Sequence, residues 1–135
     1  MRIGINGSDK LVRPDLDQII TDVQVSETEG FSSYWLAQTA LIDATAMLGL
    51  AGRQTSSIEL GTAVVPTWER HPHALAAQAL TAQAACDGRF VLGIGLSHRP
   101  VVEGMLRMEW ERPVRHMIDY LDVLQPLLVD GKVSH

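Results

Sequence analysis

Cysteine is almost missing from this chain. Cys86 is the only one in 135 residues, which excludes an internal disulfide and makes a reducing compartment the expectation. Clustered basic residues are missing too. The chain has 11 Lys and Arg against 16 Asp and Glu, a formal net charge of -5. No patch suits nucleic acid, and no acidic tail is visible. No apolar run approaches the ~20 residues that cross a bilayer. Met1 leads straight into Arg2-Ile3-Gly4-Ile5, which reads as a strand rather than a secretory apolar region. There is no His-Glu-x-x-His and no cysteine pair, so no zinc signature and no metal is expected. Low-complexity segments are absent. What remains, 46% hydrophobic and 20% charged, is the composition of one soluble, cytoplasmic domain spanning residues 1–135.

The stretch Arg89-Phe90-Val91-Leu92-Gly93-Ile94-Gly95-Leu96-Ser97-His98-Arg99-Pro100 organises what is there. Its apolar run predicts a parallel strand covered on both faces. Polar residues follow at once, and Pro100 stops a regular continuation. In parallel α/β folds the C-terminal ends of strands carry the chemistry. The glycines do not form a dinucleotide fingerprint. His98 stands where the third glycine belongs, and Pro100 stands where the phosphate-binding helix begins.

Taken in order, the chain repeats one unit four times. Arg2 to Asn6 is a first strand, closed by the turn Asn6-Gly7-Ser8-Asp9. Pro14 suits a helix start, and Leu16, Ile19, Ile20 and Val23 form an amphipathic stripe. Gly30 serves as its cap. Phe31 to Ala37 is a second strand. Asp43 to about Arg53 is a helix with Ala44, Met47, Leu48 and Ala51 on one face. Ile58 to Val65 is a third strand, ended by Pro66. Pro72 opens an alanine-dense helix that runs to Ala85, and Phe90 to Gly95 is the fourth strand. A loop from Leu96 to Arg112 precedes a last helix, with Val114, Met117, Ile118 and Leu121 as its apolar stripe. Pro126 is expected to end or kink it. Every strand is followed by a helix, so the fold class is α/β with a parallel sheet and right-handed crossovers. An open doubly wound sheet fits that length. A (β/α)₈ barrel needs about 250 residues and twice the units.

Particular motifs decide between them: Glu29-Gly30-Phe31 with Tyr34-Trp35-Leu36, Leu60 to Pro66, Arg70-His71-Pro72, Asp87-Gly88-Arg89-Phe90 with Leu92-Gly93-Ile94-Gly95, and Arg112-Pro113 with His116-Met117 and Tyr120-Leu121. In this order and spacing the chain resembles the luciferase-like monooxygenase superfamily, and most closely its coenzyme F420-dependent branch. The resemblance implies the N-terminal half of a (β/α)₈ TIM barrel that holds F420, or alternatively FMN, at its strand ends. The later strands, which help hold the cofactor's phosphate tail in that family, have no counterpart here. The expected partner is therefore a missing C-terminal half-barrel or a second copy in a homo-oligomer, besides a small-molecule substrate. The resemblance also implies a bulge with a cis peptide at Ala63-Val64, pressed on the cofactor ring. Many relatives have an acidic residue and a histidine after the second strand. Gln38 and Thr39 take those places here, and neither titrates.

The candidate residues follow. His98, beyond the fourth strand, is the acid–base candidate, because an imidazole transfers protons near neutrality. Gln38, Thr39, Ala63, Val64, Leu96 and Ser97 are the cofactor-binding candidates. Ser97 equally suits a loop that satisfies its own backbone. Trp68, as an exposed loop aromatic, and Arg99, as a partner for an anion, are the substrate candidates. His71 is expected to cap the third helix, His116 to pack or lie at the surface, and Cys86 to be a small buried thiol. The reading is an F420- or flavin-dependent oxidoreductase, by hydride transfer or monooxygenation. The alternative is a half-barrel that oligomerises or binds without turnover. A nucleotide-binding doubly wound domain is disfavoured by the failed glycine pattern.

Overall fold

A computed structural model describes residues 1–9, 15–39 and 42–130. The chain divides into two compact units: Met1–Val65 with Ala79–Gly93, and Pro66–Gln78 with the chain from Ile94 onward.

The first unit holds a four-stranded parallel sheet in the order β1 (Gly4–Asn6), β2 (Ser33–Leu36), β3 (Glu59–Thr62), β5 (Phe90–Val91). Tyr34 pairs with Leu60, and Leu60 in turn with Phe90. All C-terminal strand ends therefore point the same way. Helix α1 (Leu16–Thr28) starts at Asp15, whose carboxylate accepts the N–H of Gln18. Pro14, expected at the helix start, lies outside the described residues. Gly30 ends α1 at φ +84, where its N–H donates to Glu27 O and that of Phe31 to Ser26 O. This is the paired closure that a left-handed residue allows. Helix α2 (Ala44–Gly52) is capped by Asp43. All four of its expected core residues, Ala44, Met47, Leu48 and Ala51, are buried. Of the expected α1 stripe Ile19 and Val23 are buried while Leu16 is exposed, so the buried face starts one turn late, and Ser26 joins it.

The third and fourth strands are each shorter than expected, for one shared reason. The β3–β5 pairing stops at Gly61 and Val91. Beyond it the Thr62 hydroxyl donates to Gly93 O at 2.9 Å and accepts the Gly93 N–H at 2.8 Å. A Cβ on Gly93 would run into Thr62 O. The ladder is thus replaced by a side chain, and Leu92 and Gly93 fall outside regular strand. After Thr62 comes the Ala63–Val64 peptide, which is cis, and then the short β4 (Val65–Pro66). Val91 is exposed, so the fourth strand is not covered on both faces as expected. Helix α3 (Pro72–Ala85) lies partly in each unit. Its C-terminal part closes on the end of α2, where a Cβ on Gly52 would strike the Cys86 sulfur. Cys86 is fully buried, and that burial raises its thiol pKa, with Arg89 opposing and Asp87 adding to the rise.

In the second unit, β6 (Ile94–Gly95) precedes a π-helical turn, Val101–Met105, inside what the sequence marks as loop. Helix α4 (Pro113–Asp130) runs through Pro126 instead of ending there. The carbonyl that loses its donor to the proline belongs to Asp122, an exposed residue. The buried face of α4 is Tyr120, Leu124 and Leu127. The expected stripe is displaced: Val114 and Ile118 are 71% and 48% exposed. The helix is apolar on two faces, and packing selects the one that carries Tyr120. No described helix is long and apolar enough to cross a membrane.

Candidate cofactor site

In the first unit, the ends of β2 and β3 are joined above the sheet. Ala63 N–H donates to Leu36 O at 2.9 Å, and Gln38 N–H donates to Val64 O at 3.0 Å. Leu60 and Thr62 are buried, while Ala63 and Val64 are exposed. The strand thus leaves the core and immediately presents two small apolar residues. Gln38 is engaged by its side chain as well. Its Nε2 donates to Ile42 O at 3.0 Å, and its Oε1 accepts the Ala44 N–H at 2.8 Å. It therefore fastens the β2 end to the start of α2. Thr39 follows it, exposed. At the end of β1, the Ser8 hydroxyl oxygen accepts the Ala37 N–H at 2.8 Å.

The sheet's far end is held by charge. Arg89 donates to Ile58 O at 2.8 Å, Gly52 O at 2.9 Å, Thr55 O at 3.0 Å and Thr55 Oγ1 at 3.2 Å. A planar guanidinium reaches these from one position, gathering the end of α2 and the entry to β3.

In the second unit, Thr67 N–H donates to Gly95 O at 2.9 Å. Trp68, Leu96 and Ser97 leave from that same end. Ser97 has φ 64, the left-handed region that non-glycine residues rarely take. His98 is exposed, and its carbonyl accepts from Val101 and Val102 N–H, opening the π-helical turn. Arg99 is exposed and pairs with Glu103 at 2.9 Å.

Trp68 is not the exposed loop aromatic expected from sequence. It is half-buried and stacked on His116, with centroids 3.8 Å apart and planes within 5°. Trp110 lies 5.4 Å away, tilted by 34°. His116 Nε2 is 3.0 Å from the Thr67 hydroxyl. Burial lowers its pKa below the usual 6.5, with Asp119 opposing. Tyr120 completes the row, its ring 5.8 Å from His116, and its hydroxyl donates to Arg70 O at 3.0 Å. Burial pushes that phenol up to about 12 against the opposing effect of Arg70. His71 caps α3, its Nδ1 accepting His73 N–H at 3.2 Å. His116 packs, as expected.

Sequence reasoning missed Trp110, the Thr67–His116 bond and the clamp role of Arg89. None of these left a signal of its own, though the aromatic row did: His116 and Tyr120 are four apart, hence neighbours on one helix face. Among the described residues no group of acidic, histidine or cysteine side chains is arranged for a metal.

Strand-end geometry of this kind, in a parallel α/β chain, defines a class that the comparisons identify. The luciferase-like monooxygenase profile matches residues 2–135. The chain belongs to that family. It is 33% identical over 103 residues to a Mycobacterium tuberculosis protein named for a proposed coenzyme F420-dependent oxidoreductase activity, covering 76% of this chain and 30% of that protein. A 5,10-methylenetetrahydromethanopterin reductase of Archaeoglobus fulgidus is 27% identical over 111 residues, covering 82% and 33%. The chain thus spans about a third of the length of these relatives. Among solved structures, the oxygenating constituent of 3,6-diketocamphane monooxygenase from Pseudomonas putida, in complex with FMN, matches with a TM-score of 0.81 at 18% identity, covering 94% of this chain and 39% of that one. The F420-dependent tetrahydromethanopterin reductase of Methanopyrus kandleri matches with a TM-score of 0.79 at 21% identity, covering 100% and 42%. The fold is that of the N-terminal half of a (β/α)₈ barrel.

Proposed function

We propose that this chain forms the ring-binding part of an F420-dependent oxidoreductase, with FMN as the alternative cofactor and a small organic molecule as substrate. One observation carries the reading: Ala63 and Val64 lie exposed at the end of an otherwise buried strand, with the Val64 carbonyl already held by Gln38. A planar ring fits such a small, apolar, rigid ledge, because its face needs contact and not hydrogen bonds. F420 or a flavin, when bound, supplies the hydride or oxygen chemistry. The protein's own part is to hold the ring, to exclude water and to move a proton, for which His98 is the candidate. Gln38 and Thr39 cannot do this, since an amide and a hydroxyl do not titrate near neutrality. The sheet edges at β1 and β5 have no strand partner among the described residues. Such edges recruit cover, which supports a remaining half-barrel or a second copy as the partner.

The test is titration of the full-length protein with F420 and, separately, with FMN, followed by absorbance. Saturable binding of either is expected, with F420 the tighter, and Val64→Asp should weaken it at least tenfold. No binding of either cofactor to the full-length protein overturns the reading.

A further inference from the structure

Residues 107–112 are an irregular stretch between the π-helical turn and α4. Two non-glycine residues in the left-handed region bound it, Arg107 at φ 57 and Arg112 at φ 43. Single residues of that kind persist where their surroundings hold them, and they mark places where a chain changes direction. Beyond the Met108 N–H, which donates to Val102 O at 3.1 Å, the next backbone bond recorded is His116 N–H to Arg112 O, where α4 begins. Arg107, Met108, Glu109, Glu111 and Arg112 are all exposed; Trp110 alone is half-buried. Its ring packs against Trp68, the residue directly after the Thr67–Gly95 bond. Trp68 is itself fixed from another side by the His116 stack. Among the described residues its buried indole N–H finds no hydrogen-bond partner. A buried donor left unpaired is unfavourable, so ring contacts keep Trp68 where it is.

We propose that residues 107–112 form a strap, hinged at Arg107 and Arg112 and latched by Trp110 on Trp68, that controls entry to the strand end from which Leu96 and Ser97 leave. Beyond the Met108 N–H bond to Val102 O beside the Arg107 hinge, the latch is a single aromatic contact against a ring clamped by the fold. Such contacts are individually modest, so the strap opens without disturbing α4 or the π-helical turn. What passes beneath it rests on the function proposed above.

Trypsin reads the latch directly. Between His98 and Val114 the arginines are Arg99, Arg107 and Arg112, and there is no lysine. Arg99 and Arg112 precede prolines, which leaves Arg107–Met108 as the strap's cleavable bond. Arg53–Gln54, exposed in the first unit, is the internal control. In the full-length protein, Trp110→Ala should be cut at Arg107 about tenfold faster than wild type, the change in open population that an aromatic pair controls, with the Arg53 rate unchanged. Equal Arg107 rates in variant and wild type overturn the latch. If Trp110→Ala speeds both sites, it has lost its fold. Trp110→Leu, which fills space without a ring, then decides: faster cutting at Arg107 alone supports the latch, and a wild-type rate overturns it. Added F420 or FMN should slow cleavage at Arg107. No slowing at a concentration that saturates the absorbance titration overturns entry control while the cofactor reading stands. No absorbance change with either cofactor overturns that reading while the latch result stands.

Discussion

The backbone N–H of Ile58 donates to the carboxylate of Glu27 at 2.9 Å across 31 residues of sequence. The same oxygen accepts Ser56 N–H at 2.9 Å, Ser57 N–H at 2.6 Å and the Ser57 hydroxyl at 3.0 Å. One side chain on the last turn of α1 thus organises the turn that enters β3.

This carboxylate makes stability depend on pH in a defined window. Burial alone would raise its pKa. The N–H groups of Ser57, Ile58 and Ser56 and the Ser57 hydroxyl outweigh that and hold it at about 2, against the usual 4.5. A depressed carboxyl stabilises the fold fully above its unfolded pKa, and the contribution is lost as pH falls through the folded one. Urea midpoints should therefore decline between about 4.5 and 2. Glu27→Gln should flatten that decline; an unchanged profile in the variant would show that other carboxyls cause it.

Arg89→Ala removes four hydrogen bonds to Gly52, Thr55 and Ile58 at once. The expected loss is roughly 2–4 kcal/mol, given about 1.5–3 for a charged hydrogen bond and the carbonyls left unmet. Arg89→Lys should recover little, because an ammonium lacks the planar fork. Chemical denaturation of the three proteins measures both, and full recovery by lysine would contradict the clamp.

His116 should report on the aromatic row. Its pKa lies below 6.5 because burial disfavours the charged ring. Its stabilising contribution is complete above about 6.5 and falls as pH drops below that, levelling beneath the folded value. Protonation against Trp68 should change tryptophan fluorescence with a midpoint under 6.5. The transition should vanish in His116→Ala. A midpoint above 6.5 would mean that the ring is not desolvated.

His98→Ala should leave the melting temperature within a few degrees, since the side chain is exposed. If His98 transfers a proton, turnover falls about 10²–10⁴-fold while cofactor affinity holds. Arg99→Ala breaks the Glu103 pair and should affect substrate binding only if the arginine leaves that partner for an anion. Wild-type turnover in His98→Ala would place the proton donor in the remaining part of the barrel.

The fold was legible where punctuation and period agree: Gly30 closes α1, Pro72 opens α3, and the α2 stripe buries as written. Strand lengths were not legible. Phe90 to Gly95 reads as continuous because apolarity says nothing of the Thr62 hydroxyl that ends the ladder. The face of α4 was misread because two apolar stripes compete; the buried one carries Leu124, Leu127 and Tyr120, whose hydroxyl bonds Arg70 O. At the candidate site, residue types pointed to the strand ends. They could not show that the Gln38 side chain is occupied by α2, or that Trp68 is stacked. Those facts depend on partners 6 and 48 residues away.

The order β1-β2-β3-β5 is also the order of synthesis. No strand of this sheet has to be threaded between two that already exist. Each emerging strand finds a completed template at one edge, and its helix has only local sequence to cross before covering the previous unit. Assembly can therefore keep pace with the ribosome. The edge left by Phe90 and Val91 is then the last of this sheet to form, and it carries no further strand among the described residues.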